Sequence, residues 1–222
     1  MGNGSEKLIS IIQEAFSFLN NHEINHVKLD LDENPVNAVW IWGNEIPKKV
    51  KTFQELYGMN AFCIPGTHLI RGIALNMGLD ASPVISPHSR QAHEIFPKRV
   101  DAAIRAFEVY DAVIMHIETI EEIGHTADLQ RKCQAIESFD EKIVGKLLEY
   151  LQHQGDFRIL VATSYSSGSN RSVLQKMAVP WVFYGAGVNP DKSRSFNEKE
   201  ARSSFLSAYA GYKLLKKTLF RK

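Results

Sequence analysis

Ala112-Val113-Ile114-Met115-His116-Ile117 runs directly into Glu118-Thr119-Ile120-Glu121-Glu122-Ile123-Gly124-His125-Thr126-Ala127-Asp128, an apolar stretch followed by an acid-rich turn. The first part has the length and composition of a buried strand. Beyond the turn, Leu129, Cys133, Ile136, Ile143, Leu147 and Leu151 fall on one face of a long helix. Strand, polar loop and amphipathic helix together form half of a crossover unit. His116 lies inside the apolar run, so a packed, hydrogen-bonded core histidine is expected there.

The same alternation extends in both directions. Asn60–Ile64 reads as a strand, Thr67–Met77 as a helix closed by Gly78, and Val84-Ile85 as a short strand between prolines. Val100–Val109 is helical by spacing. Arg158–Ala162 and Trp181–Tyr184 read as two more strands, and Glu198–Leu219 as a final helix. Near the start, Leu8, Ile12, Ala15 and Leu19 share a helical face after a Ser5 cap. Asn37–Trp42 reads as a strand whose Trp40 and Trp42 face opposite sides. The expected fold is therefore α/β, a mostly parallel sheet with helices on both faces. The first 50 residues fit the alternation poorly and are expected to form a small N-terminal lobe, leaving 51–222 as the main domain.

Composition narrows the function. The 222 residues are 44% hydrophobic, enough for a sizeable core, and 23% charged with a formal net charge of +1. No basic stripe marks a nucleic-acid surface, and no apolar stretch is long enough to span a membrane. MGNGSEKL carries no apolar signal region, and Cys63 and Cys133 lie in apolar patterns. A cytoplasmic protein with buried, reduced thiols is expected.

In open parallel sheets the chemistry sits at the carboxyl ends of the strands, so the loops after Ile117 and Ala162 matter most. In the first, a carboxylate and a histidine four residues apart, Glu121 and His125, have the spacing to share one divalent metal. The bland alternative is a solvated acidic turn that complements the next helix's N-terminus. The run Thr163–Ser169 (TSYSSGS) has no P-loop lysine and reads as an ordinary loop.

These residues carry a resemblance. His116-Ile117-Glu118, Glu121-Glu122-Ile123-Gly124-His125 and Asp128 resemble the His-Val-Glu-Ala-Pro-Asp-Glu-Ala-Gly-His motif of archaeal-type cofactor-independent phosphoglycerate mutases, in the alkaline phosphatase superfamily. Asn34–Gly43, Phe53–Gly58, Leu69-Ile70-Arg71-Gly72-Ile73, Ala135–Asp140 and Phe196–Lys199 resemble further family segments, in family order. The resemblance implies an alkaline-phosphatase-like sheet, with residues 1–50 as a remnant of the family's inserted domain. It also implies two divalent metals (manganese, magnesium, cobalt or zinc) and a Ser or Thr nucleophile that carries phosphate between two glycerate hydroxyls. The nucleophile and one carboxylate ligand belong to the family's N-terminal portion, which lies outside the resemblance.

The departures bear on activity. By resemblance, Glu121 stands for a ligand Asp and His125 for a ligand His, while Ser164, Tyr165 and Leu174 replace an Asp and two His. Neutral Ser, Tyr and Leu cannot balance the charge of a dinuclear site. Ser86–Phe96 replaces the family's substrate segment. Arg71 stands where the family carries Lys, and Lys28 where it carries Arg, as candidate anion-binding residues. The expectation is a truncated, metal-site-degenerate relative without catalytic residues of its own. It would bind no metal tightly, and would take a phosphorylated metabolite or a protein as partner. Its alternative is half of a phosphoglycerate mutase, interconverting 2- and 3-phosphoglycerate, completed by another chain. Glu121, His125, Ser164 and Tyr165 are expected to gather at the carboxyl end of one sheet.

Overall fold

A computed structural model describes residues 4–43, 46, 48–84, 92–126, 128–165, 178–204, 206 and 210–218. It divides into two compact units, Met1–Lys49 and Val50–Lys222.

In the first unit, α1 (Ser5–Asn20) and α2 (Glu23–Asp30) are joined by a tight turn. The cap of α1 is Gly4, at φ 85°, and not Ser5, which is already helical. Asn25 is buried and ties this unit together. Its Nδ2 donates to Leu19 O (2.6 Å) and Val36 O (2.7 Å), and its Oδ1 accepts from Val36 N (2.9 Å). The expected strand at Asn37–Trp42 does not form. That stretch is irregular, with Trp40 83% and Trp42 73% exposed. Alternating apolar residues make a strand only where a neighbouring strand accepts their backbone hydrogen bonds, and none does so here among the described residues.

The second unit opens with α3 (Phe53–Tyr57), whose Thr52 and Glu55 form a reciprocal capping box. Then come β1 (Ala61–Ile64), α4 (His68–Asn76) capped by Thr67, β2 (Asp80–Ala81), α5 (Ala92–Ala106) and β3 (Ala112–Met115). β1 lies in the middle, paired in parallel with β2 on one side and β3 on the other. The second strand is Asp80–Ala81 and not Val84-Ile85; Val84 is irregular, and Ile85 lies outside the described residues. The helix expected at Val100–Val109 begins earlier and takes in Pro97.

Helices cover both sheet faces. Ala112 and Ile114 pack against Phe53, Ala61, Cys63, Ala74 and Leu79, which brings in α3 and α4. Met115, of opposite strand parity, packs with Phe96, Val100 and Ile143. Ile143 belongs to the long helix anticipated after Leu129. That helix is α7 (Leu129–Phe139), a π-helical segment Asp140–Gly145 and α8 (Lys146–Gln152), in unbroken succession. Each residue of β3 is only half buried, less than expected of a core strand.

β4 (Arg158–Ala162) and β5 (Trp181–Gly185) pair with each other, antiparallel, from Arg158↔Gly185 to Ala162↔Trp181. The expected α/β fold with a mostly parallel sheet is present in β2-β1-β3, while β4 and β5 form a separate antiparallel pair, and among the described residues no ladder joins β4 to β3. Apolar runs identify strands but do not choose their partners. The expected final helix is interrupted, α9 covering Glu198–Ser203 and α10 Gly211–Thr218. No helix of the described residues is long and apolar enough to cross a membrane.

Candidate functional site

The carboxyl ends of the parallel strands β1 and β3 open onto two loops. After β1 come Pro65 and Gly66, then Thr67, whose hydroxyl accepts from Ile70 N and starts α4. After β3 come His116, Ile117 and Glu118, then α6 (Thr119–Gly124).

At the junction sits a buried ion pair. Arg99, from α5, is 1% exposed and Glu118 4%. Arg99 Nη2 donates to Glu118 Oε1 at 2.7 Å and Nη1 to Oε2 at 3.1 Å, while Nη1 also reaches His116 O at 2.9 Å. A bidentate guanidinium–carboxylate pair fixes both partners in one geometry. Gly66 leaves room for it, since a Cβ there would overlap Glu118 Oε2 and stand 2.8 Å from His116 Nδ1. His116 follows β3 and its side chain is 32% exposed. Its Nδ1 is buried 3.9 Å from Glu118 Oε2 and has no hydrogen-bond partner, which corrects the expectation of a hydrogen-bonded core histidine.

Glu121 and His125 lie one turn apart at the end of α6, with Glu121 Oε1 3.6 Å from His125 Nε2 and both side chains open to solvent. Glu122, beside them, has its carboxyl pushed above the ordinary value by partial burial, then by the negative charges of Glu118 and Glu121; Arg99 opposes this. Asp128 is engaged in capping α7, its Oδ1 accepting from Arg131 N.

The structure thus brings Glu121 and His125 together. Ser164, exposed, and Tyr165, half-buried, lie on the loop after β4, in the other sheet. Thr163 anchors that loop through its hydroxyl to Pro180 O at 3.1 Å. Leu174, most of Thr163–Ser169 and most of Ser86–Phe96 lie outside the described residues. Arg71 Nε donates to Ser82 O at 3.2 Å. Lys28, in the N-terminal unit, is paired with Glu33 at 2.7 Å. Cys133 is exposed, against the expectation of two buried thiols; Cys63 is buried.

Arg99 was legible but not singled out in the sequence. Phe96, Val100 and Ala103 mark the buried face of α5, and Arg99 falls on that face. A lone arginine among core positions calls for a buried anion.

One carboxylate and one imidazole can hold a single cation as two ligands of an incomplete shell. Among the described residues no group of three or more His, Cys, Asp or Glu is placed to hold one. Two ligands are fewer than a pair of divalent metals takes, and the described residues add no third to this group.

Fold and site define an α/β protein with a parallel sheet and a carboxylate–imidazole pair at its carboxyl end. A profile of the metalloenzyme superfamily matches residues 13–216, and the chain belongs to that superfamily. Its relatives are archaeal-type 2,3-bisphosphoglycerate-independent phosphoglycerate mutases. One from Methanosarcina acetivorans is 29% identical over 91% of this chain and 51% of its own length. Another, from Archaeoglobus fulgidus, is 30% identical over 95% of this chain and 51% of its own. Among solved structures, the PH0037 protein of Pyrococcus horikoshii superposes with a TM-score of 0.69 at 22% identity, over 90% of this chain and 52% of that one. The cofactor-independent phosphoglycerate mutase of Thermoplasma acidophilum gives 0.55 at 20% identity, over 98% and 51%. The chain spans about half the length of the curated relatives it matches.

Proposed function

We propose that this chain is a metal-site-degenerate, non-catalytic relative of the phosphoglycerate mutases and works by binding a partner polypeptide. The observation that carries this is the Glu121–His125 pair, two ligands 3.6 Å apart with neutral Ser164 and Tyr165 at positions where the resemblance requires charge or imidazole. Phosphoryl transfer depends on positioned positive charge around the moving group, and two open ligands supply little of it. A protein partner is favoured over a phosphorylated metabolite because the two anion-binding candidates are engaged elsewhere, Lys28 with Glu33 and Arg71 with the Ser82 carbonyl. A cytoplasmic setting fits two free cysteines.

A second reading is half of a mutase that another chain completes. The chain's match to only 51% of the Methanosarcina relative favours it; the loss of charged ligands within the matched part disfavours it. A coupled assay for 2- to 3-phosphoglycerate conversion, with manganese, magnesium, cobalt or zinc, tests the proposal. No turnover is expected. Turnover that disappears in His125→Ala would overturn it.

A further inference from the structure

We infer that the π-helical segment Asp140–Gly145 is a conformational switch: its conversion to α-helix turns α7 by about 100° and carries Leu129, Cys133 and Ile136 from solvent to the packed side of that helix. The switch does not depend on the proposed function.

Pattern and packing disagree along this helix. At α-helical spacing Leu129, Cys133, Ile136, Ile143, Leu147 and Leu151 form one stripe. Only its second half is packed. Ile143 and Leu151 are buried, and Leu147 lies against the cluster of Phe96, Val100 and Ile143. In the first half Leu129 is 61% exposed, Ile136 45%, and Cys133 is open to solvent. The packed residues of α7 are instead Ala135, 7% exposed, and Phe139, which joins the same cluster. Ala135 precedes Ile136 by one residue, or about 100° around the axis.

The π segment accounts for this offset. A π bulge accommodates one residue more than the α-helix it interrupts. With that residue discounted, Ala135, Phe139, Ile143, Leu147 and Leu151 fall on a single α-helical face. Gly145 suits the bulge, since a Cβ there would stand 3.3 Å from the Asp140 carbonyl oxygen.

The sequence therefore supports two registers. In the second, the whole helix is α-helical and the apolar stripe is unbroken. The extra residue passes to the amino end of α7, into the turn between His125 and the Asp128 cap. This register removes an uncommon turn and withdraws three apolar side chains from water, but it takes Phe139 out of its cluster. Opposed gains and losses keep the second register populated as a minor state. A ligand or partner that prefers one register moves the stripe and the turn beside the Glu121–His125 pair together.

The experiment is amide relaxation dispersion on the isotopically labelled full chain, which detects helix register shifts on the microsecond-to-millisecond scale. Exchange with one common rate is expected along α7 and the π segment. Deletion of Glu141 removes the extra residue and leaves the flanking helices in their present packing, so the exchange should vanish while the chain stays folded. Ile136 is exposed in the observed register, so Ile136→Gln should leave the thermal midpoint nearly unchanged. It should nevertheless cut the minor population by about fivefold or more, because the second register buries the new amide.

Flat profiles along α7 in the parent chain would overturn the inference. So would exchange that survives the deletion of Glu141, or a minor population that Ile136→Gln leaves unchanged. If the deletion prevents folding, Ile136→Gln decides alone.

Discussion

Arg99 and Glu118 are joined by two hydrogen bonds, of 2.7 and 3.1 Å, in a place almost closed to solvent. The pair ties α5 to the start of α6, and through the His116 carbonyl to the end of β3. Breaking one side strands a charge in the core. Arg99→Met and Glu118→Gln should each cost about 3–5 kcal/mol in denaturant unfolding. The double variant should cost less than the sum of the two by at least about 1 kcal/mol. Simple additivity would show that the pair is not coupled.

Gly66 should tolerate no side chain while Glu118 is held in place. A methyl overlapping Oε2 must displace a carboxylate that Arg99 clamps. Gly66→Ala is expected to destabilise by about 1–3 kcal/mol, the usual cost of overpacking. In a Glu118→Ala background the same substitution should cost much less. Equal costs in both backgrounds would mean that the glycine serves another purpose.

Much of this was legible beforehand. The β1–α4 unit and the β3 strand with its later long helix follow from apolar runs and helical spacing, because periodicity is a local property, whereas the sequence of α6 and of the Asp128 cap of α7 reads only as an acid-rich turn. The Glu121–His125 pair follows from four-residue spacing, which the α6 turn converts into proximity. What failed was non-local. Asn37–Trp42 has strand composition but no ladder, and β4 chose β5, an antiparallel partner, over β3. The long-range ion pair was missed for the same reason. Arg99 and Glu118 are nineteen residues apart, and only the packing of α5 on β3 makes them neighbours.

Glu122 gives a pH signature. Its folded carboxyl is raised above the ordinary value, so the folded state binds that proton more tightly than the unfolded chain. Below the unfolded value, about 4.3 for a glutamate, both states are protonated and the group has no net effect. As pH rises through the raised value, the folded chain loses stability. Glu122→Gln should therefore melt slightly higher than the parent at pH 7, and the advantage should vanish under acid. Since part of the side chain reaches water, the gain is small. A variant that is less stable at pH 7 would contradict this sign.

The proposed metal-site degeneracy is tested most directly by calorimetric titration of the metal-stripped chain with manganese, read together with thermal melts. At most one equivalent should bind, weakly, with its heat lost in His125→Ala. The melting temperature should move by less than about 2 °C at millimolar metal, because a ligand stabilises only in proportion to its occupancy of the folded state. Two equivalents bound tightly, with a rise of many degrees, would contradict the claim.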